Sequence, residues 1–141
     1  MQNLGGLSEA ALLAMPEEDY MSAAQLAYFK ALLQSQQQEI SDHLAEVKAA
    51  ITVTKEPGDF TDFASVEEER NLLLRQADRE TRLLHKIEEA LLRIEAGDYG
   101  YCEDTGKPIG LQRLLLRPTA TLSLEAKEAQ EAQERLLGKK H

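Results

Sequence analysis

The residues with the clearest potential for metal chemistry are a lone cysteine and three partners in the last third of the chain. Cys102 and Thr105 are three residues apart, and Ser123 and Ala126 repeat that spacing. Two such pairs are typical of structural zinc sites, which take four thiolate or imidazole ligands. Thr and Ser are poor ligands for zinc and Ala is none. We therefore expect a degenerate zinc knuckle without metal, and a single cysteine excludes an intrachain disulfide.

Acidic and aromatic residues form a second candidate group near the middle of the chain. Asp59 directly follows Gly58, and Asp62 lies three residues further along the chain. This spacing lets both carboxylates face one way in a turn or a first helical turn, where Asp serves as a capping residue. Phe60 and Phe63 alternate with them, and exposed aromatics beside acids form a good contact point for a partner protein. Capping and partner contact are both open readings of this group.

Basic side chains recur at helical spacing between residues 75 and 93. At 100° per residue they fall within an arc of roughly 60°, away from the apolar side of the helix. These residues, the basic stripe, are Arg75, Arg79, Arg82, Lys86 and Arg93. The stripe is either a solvated coiled-coil face paired with nearby acids, or a binding surface for an acidic protein or a phosphorylated ligand.

The net charge limits the kinds of partner. The 141 residues carry a formal charge of -9, whereas proteins that bind duplex DNA commonly offer a basic face to the phosphates. We therefore expect no sequence-specific DNA binding, and any effect on transcription should act through a protein. No apolar run approaches the ~18 residues that a membrane span needs, and no signal peptide is visible. A cytoplasmic protein without a membrane partner is expected.

Two long amphipathic segments must position these residues. Apolar residues recur at heptad spacing over 26–51 and at spacings of three and four over 73–94, which predicts two coiled-coil helices. Each helix is about 30 residues, roughly 45 Å at 1.5 Å per residue. The short Pro57-Gly58 connection favours an antiparallel pair. We predict a coiled-coil hairpin over residues 22–97, with its tip at 56–65.

The helix ends of this hairpin carry recognisable signals. Ser22 with Gln25, and Ser65 with Glu68, form possible capping boxes at the two helix starts. Gly97 is a natural stop for the second helix, because glycine is the favoured residue just beyond a helix end.

The remaining segments predict a small globular domain and a last helix. Residues 98–122 are rich in Gly, Pro, Tyr and Thr, as expected of turns and short strands, and join residues 1–21 in one domain. Its apolar contacts should come from Leu111, Leu114, Leu116 and Leu122. The predicted fold is mainly α: a long antiparallel coiled-coil hairpin that projects from this domain, a degenerate zinc-finger region at 98–126, and a C-terminal helix at 123–141.

Taken together, the motifs resemble those of the DksA/TraR family of bacterial transcription factors. The knuckle carries Gly100-Tyr101-Cys102-Glu103-Asp104-Thr105-Gly106, then Ile109-Gly110, Arg113-Leu114 and Arg117-Pro118-Thr119-Ala120. Asp59-x-x-Asp62-x-Ala64 resembles the family's tip motif, and Asp19-Tyr20-Met21 resembles its hairpin entry. Three of the four zinc-ligand positions lack cysteine, as in the zinc-free DksA paralogues of some bacteria.

The resemblance implies a regulator that acts on RNA polymerase and is not an enzyme. Such a factor binds the polymerase rim, inserts its hairpin through the secondary channel, and alters promoter-complex stability together with ppGpp. Its implied setting is the stringent response, at rRNA and amino-acid promoters. The tip residues implied to act near the polymerase catalytic centre are Asp59, Asp62 and Ala64. The implied alarmone site is Leu83, Lys86, Arg117 and Lys127.

Three other functions fit parts of the sequence. A transcript-cleavage factor would use Asp59 and Asp62 to hold a catalytic metal in the polymerase. A coiled-coil adaptor with no polymerase role needs only the heptads, and leaves the motif over 100–120 unexplained. A redox role for Cys102 requires exposure, a lowered pKa and often a resolving cysteine, which this chain does not have.

Overall fold

The computed structural model describes residues 3–53 and 63–138, and this part of the chain is built from helices and turns. Its α-helices are α1 Glu9–Leu13, α2 Ala23–Val53, α3 Phe63–Ala96, α4 Leu111–Leu116 and α5 Leu124–Gly138. The long helices α2 and α3 pack as a hairpin, which confirms the predicted mainly α fold. Among the described helices, none is long and apolar enough to cross a membrane.

Two side-chain hydrogen bonds form at the start of α2. The Gln25 backbone N–H donates to Ser22 Oγ at 3.5 Å, and the Met21 N–H donates to Gln25 Oε1 at 3.0 Å. The Ser22 hydroxyl satisfies one of the donors that a helix start leaves without an intrahelical partner, whereas Gln25 binds the N–H of Met21, one residue before the N-cap. The capping box predicted at Ser22 and Gln25 is therefore confirmed only in its Ser22 half, because the Ser22 N–H donates to Asp19 O instead.

The second predicted capping box is wrong, because Ser65 and Glu68 both lie inside α3. Alanine is the strongest helix-forming residue type, so Ala64 extends the helix toward its N-terminus, past the position that Ser65 would have capped. Ala64 lies exposed in the first turn of α3.

The other end of α3 stops at the predicted glycine. The Asp98 N–H donates to Arg93 O at 2.9 Å, and the Gly97 N–H donates to Ile94 O at 3.3 Å. This pair of bonds is the Schellman motif, which requires a left-handed residue just after the helix. Gly97 has a φ of 85°, a conformation that strains other residue types.

The chain divides into two compact units, unit 1 over Met1–Leu33 and Glu89–His141 and unit 2 over Gln34–Glu88. Unit 1 has an aromatic core. The Phe29 ring is fully buried and lies 5.6 Å from the ring of Tyr99. The Tyr99 hydroxyl donates to Pro118 O at 2.8 Å, and burial raises the pKa of this phenol because the ionised form loses its hydration.

The predicted apolar contacts of residues 98–122 need one correction. This segment contains helix α4 and an isolated bridge between Tyr101 and Pro108, where turns and short strands are predicted. Leu114 is fully buried, but Leu116 is 89% exposed, so Leu116 contributes nothing to the core. Two residues along a helix differ by about 200° in direction, so both leucines cannot face the same core.

Unit 2 has an aliphatic seam with a polar pair in it. Leu44 and Val47 of α2 and Ile87 of α3 are buried. His43 Nδ1 contacts Glu80 Oε1 across the two helices. The second carboxylate oxygen of Glu80 is buried and has no hydrogen-bond partner among the described residues.

Candidate functional site

The four residues at zinc-ligand spacing cap and pack elements of unit 1. Ser123 Oγ accepts from the Ala126 N–H at 3.2 Å and so caps the start of α5. Ala126 is buried, and Thr105 Oγ accepts from the Lys107 N–H at 3.2 Å. Two hydroxyls and a methyl group beside one sulfur do not fit a structural zinc ion. Within residues 3–53 and 63–138, no group of three His, Cys, Asp or Glu residues could hold a metal.

The Cys102 sulfur lies in surroundings that favour the thiolate. Hydrogen bonding lowers the pKa of Cys102 to about 6; the Thr105 hydroxyl contributes most, and the backbone and side chain of Ser123 act the same way. Burial opposes them, because the charged form loses hydration. The side chain is 3% exposed. Donor groups from both halves of the knuckle therefore favour the charged sulfur.

Arg93, predicted as part of the basic stripe, holds the knuckle instead. Its guanidinium donates to Asp98 O at 3.1 Å and to Tyr101 O at 2.9 Å, and pairs with Glu103 Oε1 at 3.0 Å. The side chain is only 21% exposed. Helical periodicity predicted the direction of the Arg93 side chain. It did not predict that the chain reverses after Gly97 and so brings these acceptor oxygens next to the guanidinium. The prediction of Arg93 as an exposed stripe residue is wrong.

The other four stripe residues are exposed on α3 in unit 2, namely Arg75, Arg79, Arg82 and Lys86. Arg82 pairs with Asp78 at 2.5 Å on the same helix, and both side chains are more than half exposed. Such solvent-exposed pairs contribute little to stability. Among the described residues, no ion pair engages the other three cations. The stripe keeps charge available for a partner.

The four residues of the implied alarmone site occur in both units. Leu83 and Lys86 are exposed on α3 in unit 2. In unit 1, Arg117 is exposed at the end of α4, where its N–H donates to Arg113 O at 2.8 Å. Lys127 is half-buried near the start of α5. The alarmone site stays a prediction.

The predicted tip is described only at its edge. Ala64 lies in the first turn of α3, and its side chain is exposed. Asp59 and Asp62 lie outside the described residues, so their role also stays a prediction.

Tyr20 has a structural role that residue spacing did not indicate. Its hydroxyl donates to Gly100 O at 2.6 Å and accepts from the Gly110 N–H at 2.9 Å. Burial raises the pKa of this phenol. Gly100 has a φ of 89°, and a Cβ there would stand 2.6 Å from Met21 Sδ. Tyr20 thereby ties the entry of α2 to the knuckle, although the sequence offered it only as part of a family motif.

Two family models together account for most of the chain. Residues 25–94 match the model described as DnaK suppressor protein DksA, N-terminal domain. Residues 97–132 match the prokaryotic dksA/traR C4-type zinc finger. The chain belongs to the DksA family. The resemblance seen in the sequence is confirmed, and one feature departs from the family description, because this zinc-finger segment holds one cysteine where C4 denotes four.

Individual relatives agree with this assignment. A protein of Caulobacter vibrioides named RNA polymerase-binding transcription factor DksA is 46% identical over 121 residues, which cover 85% of each chain. The Escherichia coli protein of the same name is 40% identical over 124 residues, covering 85% of this chain and 80% of its own. The solved structure of DksA2 from Pseudomonas aeruginosa has a TM-score of 0.85 and 50% identity, covering 91% and 99% of the two chains.

Proposed function

We propose that this protein regulates transcription by binding RNA polymerase and inserting the tip of its hairpin through the secondary channel. The observation that carries the proposal is the similarity to polymerase-binding transcription factors along most of both chains. The α2–α3 hairpin, whose helices are 31 and 34 residues long, supplies a long element for such insertion. The proposal includes a cytoplasmic location, no enzymatic activity of its own and no sequence-specific contact with promoter DNA.

The tip and the rest of the molecule have different tasks in this proposal. The tip residues Asp59, Asp62 and Ala64 act near the catalytic centre and change the lifetime of promoter complexes. Affinity comes from other surfaces, among them the exposed cations of the basic stripe, which suit an acidic protein surface. Loss of a tip carboxylate should therefore abolish the effect on promoter-complex lifetime and leave the affinity for polymerase nearly unchanged.

The first experiment replaces one tip acid by its neutral isostere. Asp62→Asn should leave the affinity for core RNA polymerase within about twofold while abolishing the change in promoter-complex lifetime, because the carboxylate is needed at the catalytic centre and not for docking. Asp59→Asn should have the same effect to a lesser degree. The measurements are polymerase binding by competition and promoter-complex decay. Asp42→Asn, at an exposed acid within α2, is the matched control.

A large loss of affinity in Asp62→Asn would contradict this division of tasks. Unchanged promoter-complex lifetimes with wild-type protein bound to polymerase would refute the proposed function itself.

The proposal extends to the alarmone ppGpp, with Leu83, Lys86, Arg117 and Lys127 as the contacting residues. Three of the four are cations suited to phosphate groups. We expect weak binding of ppGpp to the free protein and tighter binding once the polymerase rim completes the site.

Lys86→Ala tests this alarmone site directly. The variant should lose most of the added effect of ppGpp on promoter-complex decay and keep the effect seen without ppGpp, because a charge-assisted hydrogen bond contributes about 1.5–3 kcal/mol. The assay is a ppGpp titration on polymerase whose own separate alarmone site is disabled. Lys48→Ala removes another exposed cation, from α2, and serves as the control. Identical responses of wild type and Lys86→Ala would assign the stripe to docking alone.

The proposed function is independent of zinc. Thr105, Ser123 and Ala126 replace three ligands with groups that do not bind zinc. In place of a metal, side chains donate hydrogen bonds to backbone oxygens of this segment: Arg93 to Asp98 O, Tyr20 to Gly100 O and Tyr99 to Pro118 O.

A further inference from the structure

The outer side of α2 in unit 2 carries acids at the spacing of a helical stripe. Glu39, Asp42 and Glu46 are exposed and lie three and then four residues apart, so they share one side of the helix. Asp42 accepts a hydrogen bond from Gln38 of the same helix at 2.8 Å. Within residues 3–53 and 63–138, no ion pair engages these three carboxylates, which we call the acidic stripe.

The acidic stripe matches the basic stripe of α3 in spacing, but in the opposite chain direction. The acids are separated by three and then four residues, and three arginines of α3 repeat that order when the helix is followed backwards from residue 82. Two helices that run in opposite directions therefore place three acid–base pairs side by side over about 10 Å. The matched pairs are Glu39 with Arg82, Asp42 with Arg79 and Glu46 with Arg75.

Apolar residues continue the same register at one end of the stripes. Ala49 lies three residues after Glu46 and so falls opposite Leu72, which lies three residues before Arg75. Leu72 is 55% exposed, and Val53, one turn beyond Ala49, is 77% exposed. A helix paired in this register would cover both side chains. Their burial adds an apolar contribution to ion pairs that contribute little when they are exposed.

Both stripes lie on one face of the hairpin. Leu44 and Val47 mark the buried side of α2, and Ile87 marks the buried side of α3. At 100° per residue, each stripe is turned about 110–140° from the buried side of its own helix, in the same rotational sense. Because α2 and α3 run in opposite directions, equal rotation brings both stripes to the same face, toward its two edges. One such face can therefore meet another with both stripes at once.

A twofold axis along the hairpin satisfies this geometry. It sets the α2 of each copy beside the α3 of the other, antiparallel, so the acid–base contact forms twice. The contact of His43 with Glu80 shows which levels of the two helices coincide within one chain. Asp42 and Arg79 each precede one member of that contact, so the symmetry leaves them offset by only about 3 Å along the axis. An arginine side chain spans such an offset.

We propose that this face of unit 2 binds a second copy of the same chain and forms a twofold dimer. The second copy is the partner because the chain itself supplies the acids that match its cations in number and order. The pairs are exposed and screened by salt, so the dimer should form at high protein concentration and dissociate as the ionic strength rises.

The dimer covers the arginines that the proposed function assigns to contact with polymerase. Paired chains are therefore an inactive reserve, and dilution or polymerase itself releases the active monomer by mass action. This consequence rests on the proposed function, whereas the self-association does not.

The experiment exchanges the charges of one matched pair and measures self-association of the full chain by sedimentation equilibrium at low salt. Glu46→Arg and Arg75→Glu should each raise the dissociation constant of the dimer by about tenfold, because every pair occurs twice and becomes a repulsion. The combined variant carries the same pair in reverse and should return to within about twofold of the wild type. Both residues are exposed, so the variants should keep the wild-type circular dichroism spectrum.

Glu131→Arg is the matched control for the change in net charge. Glu131 is exposed on α5 and lies outside both stripes, so the dissociation constant should stay within about twofold of the wild-type value. A wild type that remains monomeric at about 1 mM in low salt would overturn the proposal. Self-association that the two single variants leave unchanged, or that the combined variant does not restore, would also overturn it, because the charges would then not pair in this register.

Polymerase separates this inference from the proposed function. We expect one copy of the chain per polymerase, because the dimer hides the arginines; two copies held together on one polymerase would refute the masking. Failure of the wild type to bind polymerase would overturn the proposed function and leave the measured self-association standing. Polymerase affinity is compared at protein concentrations far below the dissociation constant of the dimer, where Asp42→Asn remains a neutral control.

Discussion

The Cys102 sulfur accepts hydrogen bonds where a zinc-bearing knuckle would have a metal. Its folded pKa of about 6 lies below the ordinary value of 9.0. A group whose pKa is depressed by folding adds stability above its unfolded pKa, and this stability is lost as the pH falls through the folded pKa. The knuckle should therefore be stabilised by the thiolate in alkaline and neutral solution, and lose that contribution near pH 6.

We predict that the stability difference between wild type and Cys102→Ala shrinks as the pH is lowered from about 9 to about 5. Urea unfolding followed by circular dichroism at several pH values gives this difference. Thr105→Val is the informative companion variant, because the Thr105 hydroxyl is the largest cause of the lowered pKa. It should weaken the pH dependence while leaving the sulfur in place. A difference that stays constant over the whole range would show that Cys102 contributes only packing.

The degenerate zinc positions show how far residue types alone could be interpreted. The spacing of Ser123 and Ala126 predicted a lost pair of ligands, but the same separation of three residues joins an N-cap to the third helical position. The structure uses Ser123 in that way at the start of α5. Arg93 shows the opposite limit, because its three acceptors come from a chain reversal that helical periodicity does not encode.

At the scale of the helices, hydrophobic periodicity predicted the hairpin but only part of its core. The apolar positions predicted at heptad spacing over 26–51 include Leu33, Leu44 and Val47, and these three side chains are buried. Phe29 is also fully buried, although it lies outside the seam. The reason is that this end of α2 also packs against Tyr99 from the knuckle region. A heptad describes contact with one neighbouring helix, and a helix with two neighbours buries a second face.

The His43–Glu80 pair gives a prediction about the hairpin. Glu80 is 17% exposed and has one oxygen without a hydrogen-bond partner in the described part of the chain. His43→Ala should lower the free energy of unfolding, because Glu80 Oε1 then also loses its partner. The loss should be only about 1 kcal/mol, since His43 is half exposed to solvent. Glu80→Leu should raise the free energy of unfolding, because it removes a partly satisfied buried carboxylate from an apolar seam.

The control for this pair is the other histidine of the hairpin. His85 Nδ1 lies 3.8 Å from Glu88 Oε2, and the two side chains are 72% and 60% exposed. His85→Ala should change the free energy of unfolding by no more than about 0.5 kcal/mol. Thermal and urea unfolding of the three variants measures these changes in the free energy of unfolding. Destabilisation by Glu80→Leu would mean that the pair fixes the hairpin more strongly than its unpartnered oxygen weakens it.

At the scale of the whole molecule, the two units differ in how they are stabilised. The described part of unit 2 has an aliphatic seam between two helices. Unit 1 has aromatic contacts and several bonds between distant segments, such as Tyr20 to Gly100 and Tyr99 to Pro118. These cross-links supply the kind of constraint that a metal ion gives to a zinc finger. The sequence predicted a globular domain, a hairpin and a C-terminal helix, whereas the pairing of these residues depends on contacts between segments far apart in the chain.

This difference leads to a prediction about metal removal. We expect protein purified without added metal to contain less than about 0.1 zinc per chain, and a chelator to leave its unfolding midpoint unchanged, because the donor set at the knuckle does not fit zinc. The positive control restores three ligands in one variant, Thr105→Cys, Ser123→Cys and Ala126→Cys. That variant should take up one zinc and become sensitive to the chelator, since metal-binding free energy then adds to folding free energy. Elemental analysis and thermal unfolding measure both properties. Stoichiometric zinc in the wild type, or its unfolding by the chelator, would show that other residues of unit 1 assemble a metal site.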